Sequence, residues 1–207
     1  MIIDIISIGL TVFFAVVLHE CAHGWMANKL GDPTAKEAGR LTLNPLKHID
    51  PVGTIILPGI LIAMRMLGYP SVIFGWAKPV PVNFSRLRHP KRDMMWVGLA
   101  GPAVNIILAV IASQLIRINL PLKTFDTLYD IVIINLILAI FNMIPVPPLD
   151  GSRLVAGLLP DALARPYMRL EPYGLVIVFG LLYLGAFKHV VVPIVDQLSN
   201  LLGVNVP

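Results

Sequence analysis

The feature that most limits how this chain folds is the stretch from Ile5 to Leu18, which contains no ionisable residue. Around it, from Ile2 to Asn28, only Asp4, His19, Glu20 and His23 interrupt an apolar run. Spanning the hydrocarbon core of a bilayer, ~30 Å, takes about 20 apolar residues at about 1.5 Å each, and this run is long enough. Charged or titratable groups inside such a helix are costly unless they serve a function there. His19, Glu20 and His23 therefore stand out as functional candidates from their setting alone.

The rest of the chain has the same character. Hydrophobic residues make up 57% of the 207 and charged residues 14%, with a mean hydropathy of +0.80. That is the composition of a polytopic membrane protein. The net charge of +4 comes from basic residues clustered in loops, as juxtamembrane anchors cluster, so it signals a lipid bilayer and no nucleic acid. Cys21 is the single cysteine, which excludes an intramolecular disulfide. The N-terminus carries Asp4 where a secretory signal carries basic residues, and no small-residue cleavage pattern follows, so the first helix is expected to be retained.

The pattern predicts an all-α polytopic membrane protein with five or six membrane helices and a short extended or re-entrant segment near residues 72–83. Apolar segments run over 2–28, 52–67, 94–115, 131–149, 173–187 and 190–202, and residues 1–207 read as one membrane-embedded domain. Lys29, Lys36, Arg40 and Lys47 follow the first helix; Arg86, Arg88, Lys91 and Arg92 precede the segment at 94; Arg153, Arg165 and Arg169 follow the one ending at 149. The positive-inside tendency puts these loops in the cytoplasm and the N-terminus outside. Whatever lies between residues 52 and 83 must then cross twice or dip in and return.

On a helix, His19 and His23 are four residues and about 40° apart, so both imidazoles face one way and can hold one metal ion. Glu20 sits about 60° from His23, where it reaches a water at that metal. Cys21 lies about 200° from His19, the place of a small packing residue. By helical rise His23 and His19 lie roughly 9 and 15 Å from Lys29, below the cytoplasmic surface but short of mid-bilayer. A third ligand is expected at the same depth. The fourth long apolar segment breaks at Pro145, Pro147 and Pro148, which leaves Asp150 at its cytoplasmic end. Two histidines and one carboxylate leave a coordination position open, the condition for a catalytic rather than a structural zinc. His48 reads as an interfacial side chain before a helix start, with Asp50 as cap and Pro51 at the first helical position.

Pro79 and Pro81 exclude an ordinary membrane helix near Gly75–Asn83, and Val80 and Val82 favour extension. Because successive amides of a strand point to opposite edges, the edge bearing the amides of Lys78, Val80 and Val82 keeps its donors. It either holds an extended ligand by strand addition or pairs within the protein, and the sequence leaves both open. Gly101, Pro102 and Asn105 read as a structural set: small residues for close helix packing and an amide for a hydrogen bond within the bundle.

Taken together, the His-Glu-x-x-His run at 19–23, the Gly-Pro-x-x-Asn run at 101–105 and the stretch from Asn142 to Gly151 ending in Leu-Asp-Gly resemble the site-2 protease family of intramembrane zinc metalloproteases. The resemblance implies one Zn2+ per chain on His19, His23 and Asp150, with Glu20 as the catalytic general base. It also implies single-span membrane proteins as substrates and residence in a prokaryotic cytoplasmic membrane, with the site reached from the cytoplasm. Many members carry a PDZ domain or paired CBS domains, and no polar stretch here is long enough for either, so the compact form is expected. Asn142, two helical turns before Asp150 along a broken helix, is a candidate for substrate backbone or the developing oxyanion. A divalent-metal transporter and a catalytically inactive scaffold are the competing readings. Transport needs no base beside a ligand, and the intact ligand set argues against a scaffold. The sequence says nothing of oligomeric state.

Overall fold

Pro51 and Asp50 show how local chemistry starts an element here: the Asp50 carboxylate accepts the amides of Val52 (3.0 Å) and Gly53 (2.7 Å), and Pro51 needs no such partner. The computed structural model describes residues 2–69, 75–118 and 121–204, and every regular element among them is helical. In order they are α1 (Ile2–Lys29), α2 (Thr34–Glu37), α3 (Leu57–Met66), α4 (Pro90–Ile116), α5 (Leu122–Asn142), α6 (Gly151–Leu158), α7 (Asp161–Met168), α8 (Gly174–Tyr183) and α9 (Val192–Leu201). Wider π-helical turns lead into α3 at Pro51–Ile56 and into α9 at Phe187–Val191.

Among the described residues, three helices are long and apolar enough to cross a membrane: Ile6–Lys29, Pro90–Ile116 and Thr124–Asn142. A fourth crossing is available if the pair Asp161–Tyr183 and Phe187–Leu201, bent by 70°, counts as one span. Length and composition thus support three or four spans among the described residues, where five or six were expected. The difference has two sources. The segment read as a second helix is the short Pro51–Met66, and the last two apolar runs are one chain bent at the break between Tyr183 and Phe187, where Gly185 takes φ +83°.

α1 packs on α4 and α5, α4 also packs on α5 and α6, and α9 closes on α5. Small or polar residues face inward: Gly98, Gly101, Asn105, Ala109 and Ala112 of α4 are buried against their neighbours. Large apolar ones such as Ile8, Leu10, Phe14, Ile107 and Ile111 face outward. That inversion of a soluble core is the pattern of helices packed in lipid, where close approach rather than apolar burial holds them together. A conventional apolar cluster forms farther along, where Ala109, Ala112, Val132, Leu136, Val191 and Val195 meet.

The ends of the helices fall on two faces. Leu30 accepts the amide of Arg88 (3.0 Å), so the end of α1 and the approach to α4 lie together. Arg117, past the far end of α4, donates to Leu202 O (3.3 Å), so the C-terminal helices end on the opposite face. Between α1 and α4 the chain leaves and comes back: Trp76 N–H donates to Gly53 O (3.1 Å) and Lys78 N–H to His48 O (2.9 Å). Gly53 is required for this return, because a Cβ there would strike the Trp76 indole. Residues 70–74, part of the segment expected to be extended or re-entrant, lie outside the described residues. Residues 75–83 belong to no helix and no strand.

Candidate metal centre

The apolar run that makes α1 one unbroken helix also fixes His19 and His23 one turn apart, and the break after α5 brings Asp150 to them. His19 Nε2 lies 3.0 Å from Asp150 Oδ2 and 3.0 Å from His23 Nε2, and His23 Nε2 lies 3.3 Å from the same carboxylate oxygen. Both imidazoles are buried, and the Asp150 side chain is 19% exposed. Among the described residues this is the one group of three or more His, Cys, Asp or Glu side chains able to share a metal ion. Ligands on a tetrahedral zinc at about 2.0–2.1 Å stand about 3.3 Å from one another. The three observed separations match that spacing.

The outer nitrogens support the same assignment. His23 Nδ1 lies 2.6 Å from Val97 O, a backbone carbonyl that can only accept, so Nδ1 carries the proton. His19 Nδ1 lies 2.5 Å from Asn105 Oδ1 and donates to it. Each Nε2 is thereby left with its lone pair toward the other and toward the carboxylate, an arrangement that a cation between them stabilises. Gly101 makes the room: a Cβ at that position would lie against the Nε2 atoms of both histidines. Gly98, one turn earlier on the same face of α4, lets Arg153 and the Asp150 carbonyl approach.

Asp150 is placed by two local features. Pro145, Pro147 and Pro148 end the helical hydrogen bonding of α5. Gly151 then opens α6 so close to Met143 and Ile144 that a Cβ would overlap the Met143 carbonyl. Leu-Asp-Gly is thus a turn whose glycine serves close packing and whose aspartate projects at the histidines.

Glu20 lines a cavity of ≈ 250 Å³ together with His23, Asp150, Pro79, Val80 and Val82. Its Oε2 accepts the amide of Val80 (2.8 Å). The chain around Val80 is held in turn by residues after α1. Arg40, a buried guanidinium, donates to Lys78 O (2.7 Å) and Pro79 O (3.3 Å), and Asp32, also buried, accepts the amide of Asn83 (2.6 Å). Burial acts to raise the Asp32 pKa, but hydrogen bonds from the Thr34 hydroxyl and the amides of Asn83 and Thr34, with the Arg86 charge, outweigh it and hold the carboxyl below its ordinary value. Ala27, Leu87 and Val97 pack Val82 and Phe84 against α1 and α4. A larger apolar cavity of ≈ 890 Å³ between α4, α5 and the C-terminal helices contains none of the ligands and no acid or base.

Of the three amides on the edge of Lys78, Val80 and Val82, the first two are engaged within the chain, with His48 O and Glu20. Asn142 turns its amide back to Leu138 O (3.0 Å) in its own helix and does not line the cavity. His48 is fully buried; its Nε2 lies 2.8 Å from Thr42 O and 3.8 Å from Cys21 Sγ. Asn105 bonds His19 as well as Asn135 of the neighbouring helix. Arg40 and Asn135 were not singled out from the sequence. Their only signal there is a polar group beside or within apolar sequence, which does not name a partner.

Residues 119–185 match the model of Peptidase family M50. YwhC of Bacillus subtilis, provisionally named a zinc metalloprotease, is 35% identical over 199 residues, covering 90% of this chain and 84% of YwhC. Rip2 of Mycolicibacterium smegmatis, named in the same provisional way, is 28% identical over 183 residues, covering 84% of this chain and 66% of Rip2. Zinc metalloprotease MJ0392 of Methanocaldococcus jannaschii is 27% identical over 150 residues, 71% of this chain and 32% of its own length. No solved structure matches the chain.

Proposed function

Because the chain belongs to peptidase family M50, the site-2 protease family, we propose that it hydrolyses peptide bonds within or near transmembrane segments of other membrane proteins, using one zinc ion held by His19, His23 and Asp150. The observation that carries this reading is the convergence of the two Nε2 atoms and Asp150 Oδ2 at zinc-ligand spacing, beside a carboxylate that is not itself one of the three.

Zinc bound there supplies a Lewis acid that makes a water acidic near neutral pH and polarises a carbonyl. Glu20 takes the proton of the attacking water and returns it to the leaving amide nitrogen, and its hydrogen bond from Val80 fixes which oxygen is free to do so. Val97 O and Asn105 Oδ1 keep the imidazoles turned with Nε2 inward. Asp150 holds its carboxylate against both.

A transmembrane substrate must unwind before its carbonyls are accessible, since in a helix they are occupied and shielded. The unwound stretch lies along Pro79, Val80 and Val82, which wall the cavity. The amides of Lys78 and Val80 are already engaged, so contact with Val80 and Val82 side chains, rather than strand pairing at those two donors, holds it there. Substrates are single-span membrane proteins. The membrane is a prokaryotic cytoplasmic membrane, a reading supported by bacterial and archaeal relatives. The N-terminus is outside and the site opens to the cytoplasm. The whole chain, residues 1–207, acts as one metalloprotease domain.

X-ray absorption at the zinc edge of detergent-purified protein tests the ligand set. Two nitrogen scatterers and one or two oxygens at about 2.0–2.2 Å, with zinc near one per chain, are expected. A sulfur scatterer at about 2.3 Å, which only Cys21 or a methionine supplies, would sink the assignment.

A further inference from the structure

His19 reaches beyond Asn105. Asn105 Nδ2 donates to Asn135 Oδ1 (2.7 Å), and Asn135 Nδ2 donates to Ile131 O one turn earlier on α5 (2.8 Å). Asn105 is fully buried and Asn135 is 2% exposed. The four groups form one line across three helices, from α5 through α4 to α1.

From this line we infer that Asn135 is a positioning residue for the metal site, which it serves by fixing, through Asn105, which nitrogen of His19 carries the proton. A backbone carbonyl only accepts, so the atom Asn135 turns toward Ile131 is its NH2. Its Oδ1 therefore faces Asn105, which must answer with its own NH2. Asn105 Oδ1 is then left facing His19, and Nδ1 must donate. Each amide passes the polarity on because it has one donating and one accepting end. Remove Asn135 and nothing holds Asn105 in this sense: turned over, it presents NH2 to His19 Nδ1, moves the proton to Nε2 and occupies the lone pair that zinc needs. His23 is not exposed to this failure, since Val97 O sets its tautomer directly. This inference rests on His19 being a metal ligand, as proposed above.

The test uses two variants and two readouts. Asn135→Leu removes both ends of the relay at similar volume. Asn135→Asp keeps it, because a buried carboxyl stays neutral and can donate its O–H to Ile131 O while accepting from Asn105. Nitrogen NMR of histidine-labelled, metal-free protein in micelles reads the tautomers of His19 and His23, and competition with a chelating dye reads zinc affinity. Expected in Asn135→Leu are loss of the Nδ1–H signature at His19 alone and a 10- to 100-fold weaker zinc affinity, as outer partners of ligands typically produce. Asn135→Asp should stay close to wild type in both. An unchanged His19 and unchanged affinity in Asn135→Leu would overturn the inference. So would equal disturbance of His19 and His23 in both variants, which is what mere packing gives. A wild type that binds no zinc while His19 alone responds to Asn135→Leu supports the relay and defeats the metal reading instead.

Discussion

Gly101 contributes to the metal site by what it lacks. Its position on α4 faces the two Nε2 atoms so closely that a single methyl group would occupy the space between the helix and the ligands. Gly101→Ala should therefore lower zinc content well below one per chain, while leaving α4 helical and the protein monodisperse, since alanine favours a helix by about 1 kcal/mol over glycine. Metal analysis with gel filtration checks this, and full zinc occupancy in the variant would show that the histidines stand farther off. Spacing singled out His19, Glu20 and His23 in the sequence and depth singled out Asp150, and His19, His23 and Asp150 converge in the fold. Gly101 was legible only as a small packing residue. Its partners sit on another helix, and no local pattern encodes which face of α4 meets α1. The same reason hid Asn135: an amide in an apolar helix announces a need for a partner but does not say which one.

Helices α1, α4 and α5 were the readable elements, because uninterrupted apolar length is a local property and the prolines after Asn142 end α5 unmistakably. The count was not legible where length and continuity part. Residues 161–201 hold enough apolar chain for two short helices or one bent span, and the 70° bend between them falls at Gly185. Residues 75–83 were readable as non-helical from Pro79 and Pro81 alone. Their partners were not. Arg40, His48 and Asp32 hold this segment from the loops after α1, and sequence separation gives no hint of those contacts. The result joins two things read separately: the segment's Val80 amide bonds the carboxylate of Glu20, so the loops that clamp the segment also position that carboxylate.

At the scale of the whole molecule, one face collects the charge. Arg86 pairs with Glu37 (2.8 Å), Lys91 with Asp161 (2.7 Å) and Arg153 with Glu171 (2.5 Å), and these residues lie in the loops and short helices between α1 and α4 and after α5, or in the first turn of α4. Trp25 and Trp96, each about half exposed, stand near this end of α1 and α4, with Lys29 over the Trp25 ring. That is the signature of a membrane–water boundary. His23 is two residues inside Trp25, about 3 Å along the helix, and His19 one turn farther in. If this face is cytoplasmic, cysteines placed at Lys36 and Arg165, both exposed, should react with an impermeant maleimide only in opened cells, and one at Asp126 should react in intact cells. The reverse pattern would invert the orientation. Activity depends on all of this at once, and Glu20 isolates the chemistry from the architecture. Glu20→Gln keeps an oxygen to accept the Val80 amide and removes only the ability to take a proton. The measurement is cleavage of a model single-span substrate by wild type and Glu20→Gln, with zinc determined in both. Zinc near one per chain in each, with cleavage at least 100-fold slower in the variant, is the expected result; cleavage at the same rate in both would contradict the assignment of Glu20 and the hydrolytic site built around it.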